Sequence, residues 1–170
     1  MNVPKNLFIK WFIIFSTILA GSIIAGHFGL IALVLSSDIS HLTSIIGGLF
    51  LISSLFTGKL AYDLAQDDTS GLLTTREGKV KLKKKLKFLN FMADSFFTLG
   101  LMGTIIGFCY MMKGTLNSSA DVSTIIQQLK IGSSTKLYTT LAGIVSSLLL
   151  QLQILIVESD LIEEDDQKRK

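Results

Sequence analysis

The sequence predicts an all-α integral membrane protein with four transmembrane helices. Hydrophobic residues make up 49% of the 170 and charged residues 17%, against about 25% charged in soluble domains. Mean hydropathy is +0.55. The apolar residues gather into four runs, each near the roughly 20 residues that a helix needs to cross a bilayer. The same composition argues against several classes. The single Cys109 can form no internal disulfide, and inside an apolar run it reads as a buried, inert thiol. The spans hold no Cys–His pair, no metal-ligand spacing and no carboxylate pair. No enzyme, catalytic residue, metal or cofactor is therefore expected.

Residues 1–62 hold the first two spans. The chain opens basic, with Lys5 and Lys10, and from Trp11 to Leu35 it carries no fixed charge. A cleaved leader would start the same way, but its apolar stretch runs to about 7–15 residues, so this run reads as a retained first span. Gly21, Ala25 and Gly29 recur every fourth residue and let another helix come close. His27 is the one titratable group in the run. An intramembrane ionisable residue is a functional candidate, although a neutral imidazole near the outer half costs little. Ser36–Ser40, with Asp38, reads as a tight turn. The second span is His41–Tyr62, with Gly47, Gly48, Ser54 and Gly58 as its small residues. Lys59 near its end can extend its amine to the headgroups. The only proline is Pro4, so no span has a proline kink.

Residues 63–90 form a short basic segment. Gln66–Gly78 is polar and reads as loop. Lys79, Lys81, Lys83, Lys84, Lys85 and Lys87 follow, with Leu82, Leu86 and Leu89 at helical spacing. Such a helix suits anionic lipid. Nucleic acid also attracts lysines, but the cluster has no arginine and no interleaved aromatic residue, so no nucleic-acid partner is expected.

Residues 91–157 contain two apolar helices, Phe96–Met112 and Leu137–Val157, joined by a polar connection over Thr115–Lys136. Within it Val122, Ile125, Ile126 and Leu129 repeat as one face of a helix. Ser118-Ser119-Ala120-Asp121 resembles a capping box and Gly132 offers a stop. These signals predict an outer amphipathic helix over residues 121–131. Residues 158–170 are a charged tail, acidic at Glu158, Asp160, Glu163, Glu164, Asp165 and Asp166 and ending Lys168-Arg169-Lys170.

Lysine and arginine in short loops set orientation. The start, the Lys79–Lys87 segment and the tail are all basic, and four spans put all three on one side, which is then cytoplasmic. Lys113, Lys130 and Lys136 fall outside and are outnumbered. Lys83, Lys84 and Lys85 are expected to pair with Glu163 and Glu164. Each exposed pair would contribute only about 0–1 kcal/mol, so any effect would come from the network.

The last two spans carry the functional signal. Neither contains Asp, Glu, Lys, Arg or His. One has Gly100, Gly103, Thr104 and Gly107; the other has Thr140, Gly143, Ser147 and Gln151 on one helix face. Gly103 and Gly107 form a GxxxG spacing that admits a neighbouring helix. Hydroxyls orient water and bond a carboxylate but do not titrate near neutral pH. If protons cross here, another chain supplies the titrating group. The plainer reading of the same face is hydrogen bonding between helices.

Leu99-Gly100-Leu101-Met102-Gly103-Thr104-Ile105-Ile106-Gly107 resembles the GLLGTVxG signature of the MotA/TolQ/ExbB proton channel family. Leu137-Tyr138-Thr139-Thr140-Leu141-Ala142-Gly143-Ile144 resembles the family's second signature, AL-x-A-T-A-x-G-L, and Ile131-Gly132 resembles the GI that precedes it. The resemblance spans about residues 93–157. It implies a homopentamer in the bacterial inner membrane around a one-span partner of the ExbD/TolR/MotB kind, whose membrane aspartate carries the ion. It implies a stator that couples ion-motive force to mechanical work. By the motif match Thr104, Thr140 and Ser147 would face the ion path and the partner, and Gly100, Gly103, Gly107 and Gly143 would pack helices. Three departures stand out. Val145-Ser146-Ser147-Leu148 replaces the family's AIP, Lys136 replaces a small residue, and Asp63–Asn90 is too short for the torque domain of a flagellar stator. That leaves an energising or defence-type stator, carried by a bacterium or a phage. The competing reading is a small, self-associating, holin-like or structural membrane protein with no ion-driven role.

Overall fold

The computed structural model describes residues 7–38, 41–66, 76–115 and 121–167. These residues form five helices: α1 (Leu7–His27), α2 (Leu30–Ser37), α3 (Leu42–Ala65), α4 (Arg76–Thr115) and α5 (Val122–Gln167). Four stretches are long and apolar enough to cross a membrane: Leu7–His27, Leu42–Ala65, Glu77–Lys113 and Leu137–Ser159. The chain is thus an all-helical, multi-pass membrane protein.

The first apolar run is not one helix. It breaks at Phe28–Gly29, where Gly29 has φ 72° and ψ 5°. Any residue with a Cβ would be strained in that left-handed conformation. Gly29 therefore turns the chain, where its spacing had suggested a packing residue. The Gly29 amide closes on the Gly26 carbonyl at 3.0 Å, and the Gly29 carbonyl accepts from Leu33 at 2.9 Å to start α2. Ser36 and Ser37 belong to α2. Asp38, expected in a tight turn, is buried, and its Oδ2 accepts the amide of Thr43 at 2.7 Å. It thereby satisfies one of the free donors at the start of α3.

Two helices are much longer than their apolar parts. α4 has 40 residues and α5 has 46, about 60 and 70 Å at 1.5 Å per residue. α4 begins at Arg76, so Gly78 is helical, and the lysine-rich segment continues straight into the third span. α5 begins at Val122 and runs through Gly132 without a break. The amphipathic stretch expected over 121–131 is thus the first part of the last helix. A glycine in a helix costs about 1 kcal/mol relative to alanine, too little to end a helix whose neighbouring turns all hold.

α4 and α5 run antiparallel along most of their length, and α3 lies against both. α1 rests on α3 and α5, and α2 touches α3 and α5. Among the described residues neither α1 nor α2 contacts α4. The core gathers toward the end shared by the start of α1, the end of α3, the start of α4 and the end of α5. Leu7, Leu60, Leu64, Leu89, Phe96, Leu150, Ile154 and Val157 are all buried there. Aromatic edges pin the helices: Phe8 on Tyr62 at 5.5 Å, Phe50 on Phe96 at 6.4 Å and Phe56 on Phe88 at 6.3 Å.

One polar node lies inside this core. The carboxamide oxygen of Gln153 accepts from the Trp11 indole at 3.2 Å and from the Ser54 hydroxyl at 2.8 Å. Three helices meet at one acceptor. The indole covers Gly58, where a Cβ would collide with the ring, and stacks on Phe15 at 5.1 Å. Outward, Ile23, Ile52, Ile105 and Leu148 are each at least 60% exposed. So continuous an apolar surface fits hydrocarbon or further protein.

Candidate functional site

The site is built where α4 and α5 come closest. Gly100 and Gly143 face each other across the contact. A Cβ on Gly143 would lie 2.6 Å from the Phe96 carbonyl oxygen and 2.8 Å from the Gly100 Cα. A Cβ on Gly100 would meet the Gly143 Cα at 3.2 Å. Both are backbone contacts that cannot rotate away; Gly143 excludes a side chain, and at Gly100 one would fit only if the facing backbone gave way by a few tenths of an ångström. Gly103 receives the side chain of Thr139 in the space where its own Cβ would stand, and Gly107 is buried.

That close approach brings Thr104 and Thr140 together. Their hydroxyls hydrogen-bond each other, and each lies 3.3 Å from the Gly100 carbonyl oxygen. Two hydroxyl protons cannot serve all three contacts at once. One hydroxyl donates to the other, and the second donates to Gly100. Both hydroxyl protons are then engaged within the contact, and a hydroxyl oxygen that donates can still accept from water or a protonated carboxyl group. Both threonines are half-buried.

Ser147 is buried at 5% exposure and does not touch this pair. It lies farther along, in an open groove of about 430 Å³ between α4 and α5, with Asp94, Phe97, Thr98 and Gln151. Asp94 lies two residues before the charge-free run that begins at Phe96, and in the sequence the helical stride Asp94, Phe97, Leu101, Thr104 is the signal that points to it. Gln153 stands two residues from Gln151 and so points to the opposite side, into the core.

Lys85 pairs with Asp63 of α3 at 3.8 Å, and Asn90 donates to Glu158 at 3.3 Å. The side chains of Glu163 and Glu164 lie outside the described residues, as does that of Lys136. Lys83 and Lys84 are exposed. Cys109 is exposed on α4 instead of buried, because its side of the helix faces away from α3 and α5. His27 is exposed and stands edge-on to Phe28 at 6.1 Å.

The last two helices of this four-span bundle are held together at glycines, with the hydroxyl pair at their contact. The family model of the MotA/TolQ/ExbB proton channel family matches residues 65–168, and the chain belongs to that family. The match covers α4 and α5 entire, where the hydroxyl pair lies. Neither the curated proteins nor the solved structures offer a match to the chain.

Proposed function

We propose that this chain is the proton-conducting subunit of an ion-driven motor. Five copies surround a one-span partner of the ExbD/TolR/MotB kind, and the partner's membrane aspartate carries the proton. The single observation behind this reading is the Thr104–Thr140 hydroxyl pair, hydrogen-bonded across the closest contact of α4 and α5. A protonated partner aspartate can donate to a hydroxyl oxygen there. Once it loses its proton it becomes an acceptor, and it is held only if a hydroxyl turns to donate. Protonation thus changes how strongly the partner helix is held at this level, which is the coupling a motor needs.

The orientation that fits is both termini in the cytoplasm, within a bacterial inner membrane. The shared end of α1, α3, α4 and α5 is the basic one, and exposed Lys81, Lys83, Lys84 and Lys87 would meet anionic headgroups there. Ser147 continues the polar face toward that side, and Gly100, Gly103, Gly107 and Gly143 hold the helices at the spacing the path requires.

Proton uptake into cells or vesicles carrying the chain with a one-span, aspartate-bearing partner tests this. Thr104→Ala and Thr140→Ala should each cut uptake strongly while the oligomer keeps its mass. Uptake unchanged in both variants would sink the assignment, and an extracted oligomer of two or four subunits would sink the pentamer.

A further inference from the structure

The threonine pair is not the end of the polar strip. On α4 the stride Thr104, Leu101, Phe97, Asp94 steps by three, four and three residues, and on α5 Thr140, Ile144, Ser147, Gln151 steps by four, three and four. Each set lies on one helix face, and the two faces border the same groove. Asp94 is ten residues from Thr104, about 15 Å along the axis. One turn further toward the basic end, Asn90 bonds Glu158.

The groove holds oxygen donors around one carboxylate. The Thr98 hydroxyl donates to the Asp94 backbone carbonyl at 3.1 Å, so its lone pairs are what it offers the groove. Ser147 and the Gln151 carboxamide stand on the other wall. Among the described residues, Asp94 is the only titratable side chain lining the groove. In helical register the nearest charges are Lys87, two turns earlier on α4, and Glu158 on α5. α3 crosses this level near Phe50, to judge from its contact with Phe96, and brings no charge there. An ionisable group at the inner end of a membrane helix needs a reason to be there, and none of its neighbours is a cation that would make it structural.

We propose that Asp94, with Thr98, Ser147 and Gln151, is the inner proton station of this chain. The inference rests on the channel reading. A proton arriving through water from the Thr104–Thr140 level binds the Asp94 carboxylate, and the carboxyl group then releases it to water at the Asn90–Glu158 level. The proton is neither made nor consumed; Asp94 alternates between acid and carboxylate. The chain thus supplies one titrating group of its own, below the level where a partner's aspartate is needed.

Two measurements test it. Infrared difference spectra of the purified full-length chain in lipid vesicles, taken on a change of pH, should contain a carboxyl signal that vanishes in Asp94→Asn and persists in Thr140→Ala. Identical spectra for Asp94→Asn and the wild type overturn the proposal. In vesicles holding the chain and its one-span partner, Asp94→Asn should lower proton flux about tenfold or more, within the range that proton-transfer groups contribute, and Asp94→Glu should conduct. Where Asp94→Asn fails to assemble, Gln151→Leu is read in its place and should lower flux. Wild-type flux in Asp94→Asn alongside a silent Thr140→Ala brings down Asp94 alone. A wild-type chain that passes no protons with its partner brings down the channel reading beneath it.

Discussion

The indole nitrogen of Trp11 donates to the carboxamide oxygen of Gln153 over 3.2 Å, joining the first helix to the last across 142 residues of sequence. Ser54 donates to the same oxygen. Trp11→Phe keeps an aromatic ring but loses the donor, and should destabilise the bundle by about 0.5–1 kcal/mol, the usual worth of such bonds between membrane helices. Combining it with Gln153→Leu should cost less than the sum of the two, since both remove the same bond. Thermal melts of the detergent-solubilised protein check this; strict additivity would mean the bond contributes nothing.

Two glycine-to-alanine changes should cost stability for different reasons. At Gly29 a Cβ would meet nothing within 4 Å, but φ is 72°, so the cost is backbone strain of about 1–2 kcal/mol. At Gly58 the backbone is ordinary helix and the obstacle is the Trp11 ring. Overpacking there should cost about 1–3 kcal/mol and expel the indole. Tryptophan fluorescence separates them: Gly58→Ala should shift the emission of the single Trp11, and Gly29→Ala should leave it in place.

Gly143→Ala should force α4 and α5 apart, because the added methyl meets backbone of Phe96 and Gly100. An overpacking cost of about 1–3 kcal/mol is expected, along with separation of Thr104 from Thr140. Disulfide trapping between Thr104→Cys and Thr140→Cys offers a readout. It should proceed readily in the parent background and slow markedly when Gly143→Ala is added.

The Lys85–Asp63 contact should matter little. Its partners are 3.8 Å apart, with side-chain exposures of 36% and 28%. Exposed pairs of this kind contribute about 0–1 kcal/mol and are screened by salt. Lys85→Ala and Asp63→Ala should each change the melting temperature only slightly at low salt, and less at high salt. A large loss in either would mean that the contact is more enclosed than this bundle makes it.

Apolar runs and paired motifs made much of the molecule legible. Four spans followed from hydropathy, and the two signatures pointed to Thr104 and Thr140, which meet across the closest helix contact. What stayed hidden depended on neighbours or on backbone angle. Gly29 had the spacing of a packing residue, and only its positive φ marks it as a turn. Gly132 looked like a stop, yet the turns on both sides of it sustain α5. Gln151 and Gln153 are the same residue two places apart; helical phase sends one to the groove and the other to Trp11. The contact of Lys85 with Asp63 on α3 stayed hidden too, because adjacency in a folded bundle is not adjacency in charge count.

The unbroken course of α5 has a mechanical meaning. The helix passes from Val122 to Gln167 with no proline, no bulge and no turn between. Helices bend sharply at prolines, at Gly/Ser pairs and at bulges, and beyond Gly132-Ser133 the course of α5 to Gln167 offers no such joint. A tilt imposed at Thr140 is carried, like the motion of an oar in its lock, to the Gln167 end of the helix, and its sweep grows with distance from the glycine crossing at Gly143.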